Sequence, residues 1–253
     1  MKLAICTPVY GDTKSKFTQS LASLIAYTAQ SRLVGDDGEP MEVQIETFMV
    51  SSSILVESRH RLVGEALAWG ADFMLWLDAD QTFPHDAFCR LWRHNLPVVG
   101  CNYSRRHSPT APTAAFRDKD GEVKLLYTTR EKAEEGLVEV VEHLGFGCCL
   151  VNMKCFDVLQ SHAEKNGNGN FLPLFAMTDA LADGEKKGED VFFFGKLADA
   201  GIKAFCDHGL SWEVGHIHET ILTNAHACAQ RERWEEFWGK RNDKFAKAAE
   251  EAA

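Results

Sequence analysis

Apolar residues follow two rhythms along this chain. LAIC (3–6), VQIETFMV (43–50), FMLWL (73–77) and PVVGCNY (97–103) are compact runs of strand-forming residues. The unbroken FMLWL predicts a strand covered on both faces. Between the runs, apolar positions recur every three or four residues. Phe17, Leu21, Leu24, Ile25 and Tyr27 predict a helix over 17–32, and Leu62, Val63, Ala66, Leu67 and Trp69 one over 58–70 that stops at Gly70. HDAFCRLWRHN predicts another at 85–95, and GDDGEP (35–40) a turn. Alternating strands and helices imply a parallel sheet with right-handed crossovers.

Beyond residue 103 the style changes without a linker. AAFRDKDGEVKLLY (114–127) reads as a hairpin about Asp120–Gly121, and LVEVVEHLGFG (137–147) and CCLVNM (148–153) add glycine-broken strand. NGNGN (166–170) is a loop, GEDVFFFGKLADAG (188–201) a short helix and KAFCD (203–207) a strand. RERWEEFWGKRNDKFAKAAEEAA (231–253) is an amphipathic helix whose Trp234, Phe237, Trp238 and Phe245 are expected to pack back on the domain. No internal repeat is present, and the whole chain, 1–253, is read as one domain.

With 253 residues, 45% of them apolar, a large core is available. A net charge of −10, from 27 basic and 37 acidic residues, makes an electrostatic grip on nucleic acid or anionic lipid not the default. The local exception is the proline-bearing SRRHSPTAPT stretch with Arg105, Arg106 and His107, either an exposed loop or a lid over a bound ligand. No apolar run is long enough to span a bilayer, and MKLAICTPVYGD reads as a first strand rather than a signal peptide, so a soluble, cytoplasmic protein is expected. The eight cysteines form no CxxC pair and mostly lie in apolar runs, which reads as buried thiols in a reducing compartment.

Candidate chemistry begins where FMLWL ends in Asp78-Ala79-Asp80. If the extended backbone continues, both carboxylates point the same way, and two such charges repel unless a cation or hydrogen bonds offset them. Hard oxygen ligands suit Mg²⁺ or Mn²⁺; a core strand simply surfacing is the plainer reading. His216 and His218, two apart in VGHIHE, are either solvated or a further ligand, and imidazole beside carboxylate favours Mn²⁺. Glu189 and Asp190 stand before an apolar helix, where they serve as capping charges or as a general base. Trp212 is a core residue or a sugar-stacking one.

Taken in order, TPVYGD after the first strand, SRHRL on a helix, LDAD, GFG, GED and VGHIH resemble nucleotide-sugar-dependent glycosyltransferases of the GT-A fold. The likeness is to the compact single-domain members common in bacteria and bacteriophages, and covers roughly residues 1 to 220. It implies an α/β fold: a Rossmann-like, mostly parallel sheet flanked by helices, with a smaller mixed, partly antiparallel acceptor-side subregion. Residues 1–103 would then be the nucleotide-binding half, 104–220 the acceptor and catalytic half, and 221–253 a helical extension.

The resemblance also implies roles. Thr7, Pro8 and Tyr10 would hold the nucleobase and ribose, and Arg59 would lie near the nucleotide, with His60 where the family usually has asparagine. Asp78 and Asp80 match the DxD motif whose metal, Mn²⁺ or Mg²⁺, bridges the donor diphosphate. Gly145, Phe146 and Gly147 match the loop beside donor sugar and acceptor, and Asp190 the catalytic base with Glu189 beside it. His216 matches the histidine that completes the metal site; His218 replaces a usual glycine and is the alternative ligand. The implied partner is a nucleoside-diphosphate sugar, uridine diphosphate foremost, and the acceptor hydroxyl lies on a glycan, a protein or a modified DNA base. A nucleotidyltransferase acting on sugar phosphates is a rival, although TPVYGDTKSK lacks the glycine-rich loop it would need. A non-catalytic carbohydrate binder on a decayed transferase fold is another; it would be expected to have lost Asp80 or Asp190.

Overall fold

In the computed structural model, which describes residues 1–35, 38–166, 173–177, 188–218 and 221–251 with side chains to residue 242, seven strands meet in one sheet. They are β1 (Lys2–Val9), β2 (Gln44–Ser51), β3 (Phe73–Leu77), β4 (Val98–Gly100), β5 (Val138–Val141), β6 (Cys148–Asn152) and β7 (Ala204–Asp207). Their order is β5-β7-β4-β6-β3-β1-β2. Five strands run one way; β5 and β6 run against their neighbours.

The unbroken apolar runs are explained by cover on both faces. Leu3, Ile5, Leu75, Leu77 and Val99 meet Phe17, Leu21 and Leu24 of α1 (Ser15–Gln30) and Phe88 and Leu91 of α3 (Ala87–Arg93). Ala4, Cys6, Met74, Trp76 and Val98 point the other way. There they meet Leu62, Val63 and Ala66 of α2 (Leu55–Trp69), Phe156 and Leu159 of α4 (Lys154–Lys165), and Phe193, Phe194 and Leu197 of α5 (Glu189–Asp199). Strand alternation thus divides one run between two cores. Gly70, at φ +74°, closes α2 by donating to the Ala66 and Leu67 carbonyls, an arrangement that favours a residue without Cβ.

The expected hairpin forms between Ala115–Arg117 and Val123–Leu125, with Gly121 at φ +86° in its turn. CCLVNM becomes β6, inserted antiparallel between β3 and β4. Helix α4 and the short helix Arg130–Glu134 were not expected. Of the predicted NGNGN loop, residues 167–170 lie outside the described residues, as do Asp36 and Asp37 of the predicted turn. Two helices, α6 (Asn224–Ala229) and α7 (Arg231–Glu251), end the chain. Trp234 is buried and stacks on Trp238, while Phe237 is 46% exposed; the side chain of Phe245 lies outside the described residues. Among the described residues no helix is long and apolar enough to cross a membrane. The architecture is the mixed α/β one expected, with a mostly parallel sheet between helices.

Candidate active site

The carboxyl ends of β1 and β3 open on the same side of the sheet, where ligands collect in open α/β folds. Strand β3 stops at Leu77, so the extended geometry does not continue through the two carboxylates. Instead 78–80 turns, with Gln81 N–H donating to the Asp78 carbonyl at 3.0 Å. The two-residue strand Gln81–Thr82 then pairs with Gly215–Ile217, which pairs in turn with Ile221–Leu222. That register sets His216 opposite Gln81, and Ile217 N–H donates to the Asp80 carbonyl at 2.7 Å.

His216 Nε2 consequently lies 3.4 Å from Asp80 Oδ1, and its Nδ1 lies 2.8 Å from the Ser104 carbonyl. A carbonyl only accepts, so Nδ1 carries the hydrogen and the Nε2 position faces the carboxylate. A backbone carbonyl holding the far nitrogen is the usual support of a metal-ligating histidine. His218, two residues on, is exposed. The other Asp80 oxygen accepts from Arg106 Nη1 at 2.8 Å. Burial works to raise the Asp80 carboxyl, but His216 and Arg106 outweigh it and hold it below the usual range.

Arg59, on α2, is 2% exposed. Its Nε donates to Glu189 Oε1 at 3.0 Å and its Nη2 to Asp78 Oδ1 at 3.2 Å. The guanidinium carbon sits 4.6 Å from the Phe146 ring centre and 5.2 Å from that of Trp76. Arg59 therefore ties the turn after β3 to the first residue of α5 from below. Burial pushes the Asp78 carboxyl up, with Asp80 and Glu189 adding to it against Arg59 and His216. Its side chain keeps 23% of its surface exposed, so solvent moderates that push.

Next to Glu189 on α5, Asp190 accepts from its neighbour Val191 N–H at 2.8 Å. Burial and the Glu189 charge push its pKa up to about 6, against Val191 N–H, Arg59 and Arg105. Tyr103 lies within electrostatic reach of Asp78 and Asp190, and burial with those charges keeps its phenol protonated, well above the ordinary range. The Tyr103 hydroxyl accepts from Gly147 N–H at 3.0 Å. The GFG stretch is shaped by this tyrosine: a Cβ on Gly147 would stand 2.7 Å from Tyr103 and from Gln81 Nε2, and one on Gly145 would strike the Tyr103 hydroxyl. Phe146 itself is 1% exposed and belongs to the core beneath Arg59.

At the end of β1, Thr7 and Pro8 are buried, Tyr10 is 83% exposed, and the following loop touches the acidic turn where Lys14 N–H donates to Ala79 at 3.4 Å. His60 binds the Val56 carbonyl through Nδ1 at 2.9 Å and accepts from Phe175 N–H at 3.3 Å. Trp212 is half-buried beside the short helix His208–Ser211. Among the described residues, Gln81 Oε1 and Nε2, Arg59 Nη1 and Thr7 Oγ1 are buried without a hydrogen-bond partner. All belong to segments that meet at the acidic turn. Such atoms are costly unless a ligand or water satisfies them.

Among the described residues no three His, Cys, Asp or Glu side chains close on one point, because Asp78 is turned to Arg59. The Asp80–His216 pair still fits a divalent ion: hard ions shared with a substrate's phosphates need only one or two protein ligands. The sequence reading missed Tyr103, Ser104 and Gln81. Tyr103 reaches a glycine 44 residues away, so no local pattern announces it.

No family model and no curated protein sequence matches this chain. Solved structures do. The crystal structure of A197 from STIV matches 89% of this chain and 92% of its own, with a TM-score of 0.52 and 16% identity. GalNAc-T7, crystallised with UDP, GalNAc and Mn²⁺, matches 86% of this chain at a TM-score of 0.49 and 13% identity; this chain spans 44% of its length. The first is a likeness of fold, and the second is looser still.

Proposed function

We propose that this chain is a metal-dependent glycosyltransferase that moves a sugar from a nucleoside-diphosphate sugar, uridine diphosphate foremost, to an acceptor hydroxyl. The observation that carries the reading is the Arg59 guanidinium, which holds Asp78 and Glu189 together. A diphosphate-side carboxylate and the helix bearing a high-pKa carboxylate thereby meet at the carboxyl ends of the central strands.

Asp80 and His216, with Asp78 beside them, would hold Mn²⁺ or Mg²⁺; bound there, the ion would offset the charge of the departing diphosphate. Thr7, Pro8 and Tyr10 would face the nucleoside, and the 145–147 stretch would back the donor sugar through Tyr103. Asp190, in its ionised form, takes the proton from the acceptor hydroxyl. The acceptor oxygen forms a bond to the anomeric carbon while the bond to the diphosphate oxygen breaks. The electron pair leaves with the nucleoside diphosphate, the proton stays on Asp190, and the configuration inverts. Arg59 keeps Glu189, and so the start of α5, in place.

Incubating the protein with Mn²⁺ and a panel of nucleotide sugars, and measuring free nucleoside diphosphate, tests the reading. One donor should release it. Asp78→Ala should abolish release, and Asp190→Ala should slow transfer by about 10²- to 10⁴-fold. No release from any donor, together with no metal-dependent nucleotide binding, would overturn it.

A further inference from the structure

Between β4 and the hairpin, residues 104–110 run past the acidic turn under the C-terminal helices. Several contacts fix this segment. Ser104 Oγ donates to the Thr223 carbonyl at 2.5 Å, and Thr110 N–H donates to Gln230 Oε1 at 3.1 Å. The His107 ring stacks on Trp234 with centres 5.0 Å apart and planes 23° apart, and the Arg105 guanidinium lies 6.0 Å from the Trp234 ring centre. Within the segment, Thr110 Oγ1 closes onto the Arg105 carbonyl at 2.6 Å. Between these anchors Arg106 turns to Asp80, at 2.8 Å.

The Arg106 side chain is 51% exposed, so this ion pair contributes little to stability. Yet the residues on either side of it are held against Thr223 and Gln230, which flank α6, and against Trp234 of α7. The arrangement is better explained by placement than by energy. The guanidinium stands beside the Asp80 carboxylate, on the far oxygen from His216, where a divalent ion on Asp80 would compete with it. A guanidinium fork also matches phosphate oxygens, and does so better than an ammonium.

We propose that Arg106 is a donor-diphosphate-binding residue that is parked on Asp80 until the donor arrives. Without donor, the guanidinium neutralises Asp80. When metal and nucleotide bind, it gives up Asp80 to the ion and moves to the diphosphate, while the residues on either side of it stay held at the ends of α6 and on α7. The terminal helices thus act as the fixed mount of a binding side chain. This assignment rests on the transferase reading and adds to it a coupling: metal alone binds against Arg106, and metal with diphosphate binds with it.

Calorimetry on the full chain separates the two readings. Mn²⁺ is titrated into wild type, Arg106→Ala, Arg106→Lys and Asp78→Ala without nucleotide, and uridine diphosphate is then titrated at saturating Mn²⁺. Arg106→Ala should bind Mn²⁺ alone about fivefold more tightly, because an exposed ion pair no longer competes. The same variant should bind the nucleotide about tenfold more weakly, having lost a charge-assisted contact. Arg106→Lys should keep the wild-type Mn²⁺ affinity within about twofold and lose part of the nucleotide affinity. If Arg106→Ala matches wild type in both titrations, or weakens both together, the parked arginine is overturned while nucleotide binding by wild type leaves the transferase reading standing. If no form binds Mn²⁺ or nucleotide, both fall.

Discussion

Asp190 carries two opposed demands on one carboxyl. As a base it has to be ionised, while burial and the neighbouring Glu189 hold its pKa at about 6, against Val191 N–H, Arg59 and Arg105. Its pKa in the folded chain therefore lies above the ordinary value of 3.8. The stability this gives is fully present below the unfolded pKa and is lost as pH rises through about 6. Two outcomes are expected. Transfer measured as kcat/KM should fall about tenfold from pH 7 to pH 5 as the base takes up its proton. Asp190→Asn should raise stability at pH 8 by roughly 1–3 kcal/mol and leave it nearly unchanged at pH 4, as read from urea denaturation at each pH. Activity and stability thus pull opposite ways on one residue. At Arg59 the sign is reversed: Arg59→Leu leaves Glu189 buried without its partner, and the same measurement should show a loss of about 3–5 kcal/mol.

Among the elements, the small three-stranded sheet of Gln81–Thr82, Gly215–Ile217 and Ile221–Leu222 has the most influence on the site for its size. It turns His216, late in the chain, toward Asp80 in its first third. Its closeness depends on Gly215, where a Cβ would stand 2.7 Å from Thr82 Oγ1 and run into Ile221 Cγ2. Gly215→Ala should push this strand from its partners, at a cost of about 1–3 kcal/mol. Because His216 is the next residue, Mn²⁺ affinity should fall as well. Thermal denaturation and Mn²⁺ calorimetry on the same variant check both. The DxD turn and VGHIH were visible as candidates, and the family resemblance put them at one site, but the strand pairing that joins them was not visible. Period-two alternation needs four or more residues to register, and these strands have two or three. Helix α4 was hidden differently: its apolar face, Cys155, Phe156, Leu159 and Ala163, follows directly on β6, so the strand and helix patterns run together.

Across the whole molecule, what was legible in the sequence was whatever the two faces of the sheet impose on local pattern. FMLWL had to be unbroken because Met74 and Trp76 serve one core while Leu75 and Leu77 serve the other. Side-chain links between distant segments leave no such trace. Arg59 reaches Glu189 across 130 positions, and nothing local to either residue reports it. The cysteines bring the two cores to a common measurement. Seven are buried and Cys228 is partly exposed, with its Sγ donating to the Thr128 carbonyl at 3.1 Å; all eight are free thiols. Burial raises the thiol pKa of Cys6, Cys101, Cys149, Cys155 and Cys206, pushing Cys206 up to about 12 and Cys155 up to about 11. The thiolate is the reacting species, so these groups are inert unless the sheet opens. A disulfide reagent at pH 8 should therefore modify about one thiol per chain quickly, and all eight in strong denaturant. The slow native-state reaction should follow global opening, because Cys6, Cys149 and Cys206 line one face and Cys89, Cys101 and Cys148 the other. Several fast thiols in the native protein would mean that one face of the sheet is not covered as described; a single fast one that disappears in Cys228→Ser would place both cores behind one cooperative barrier.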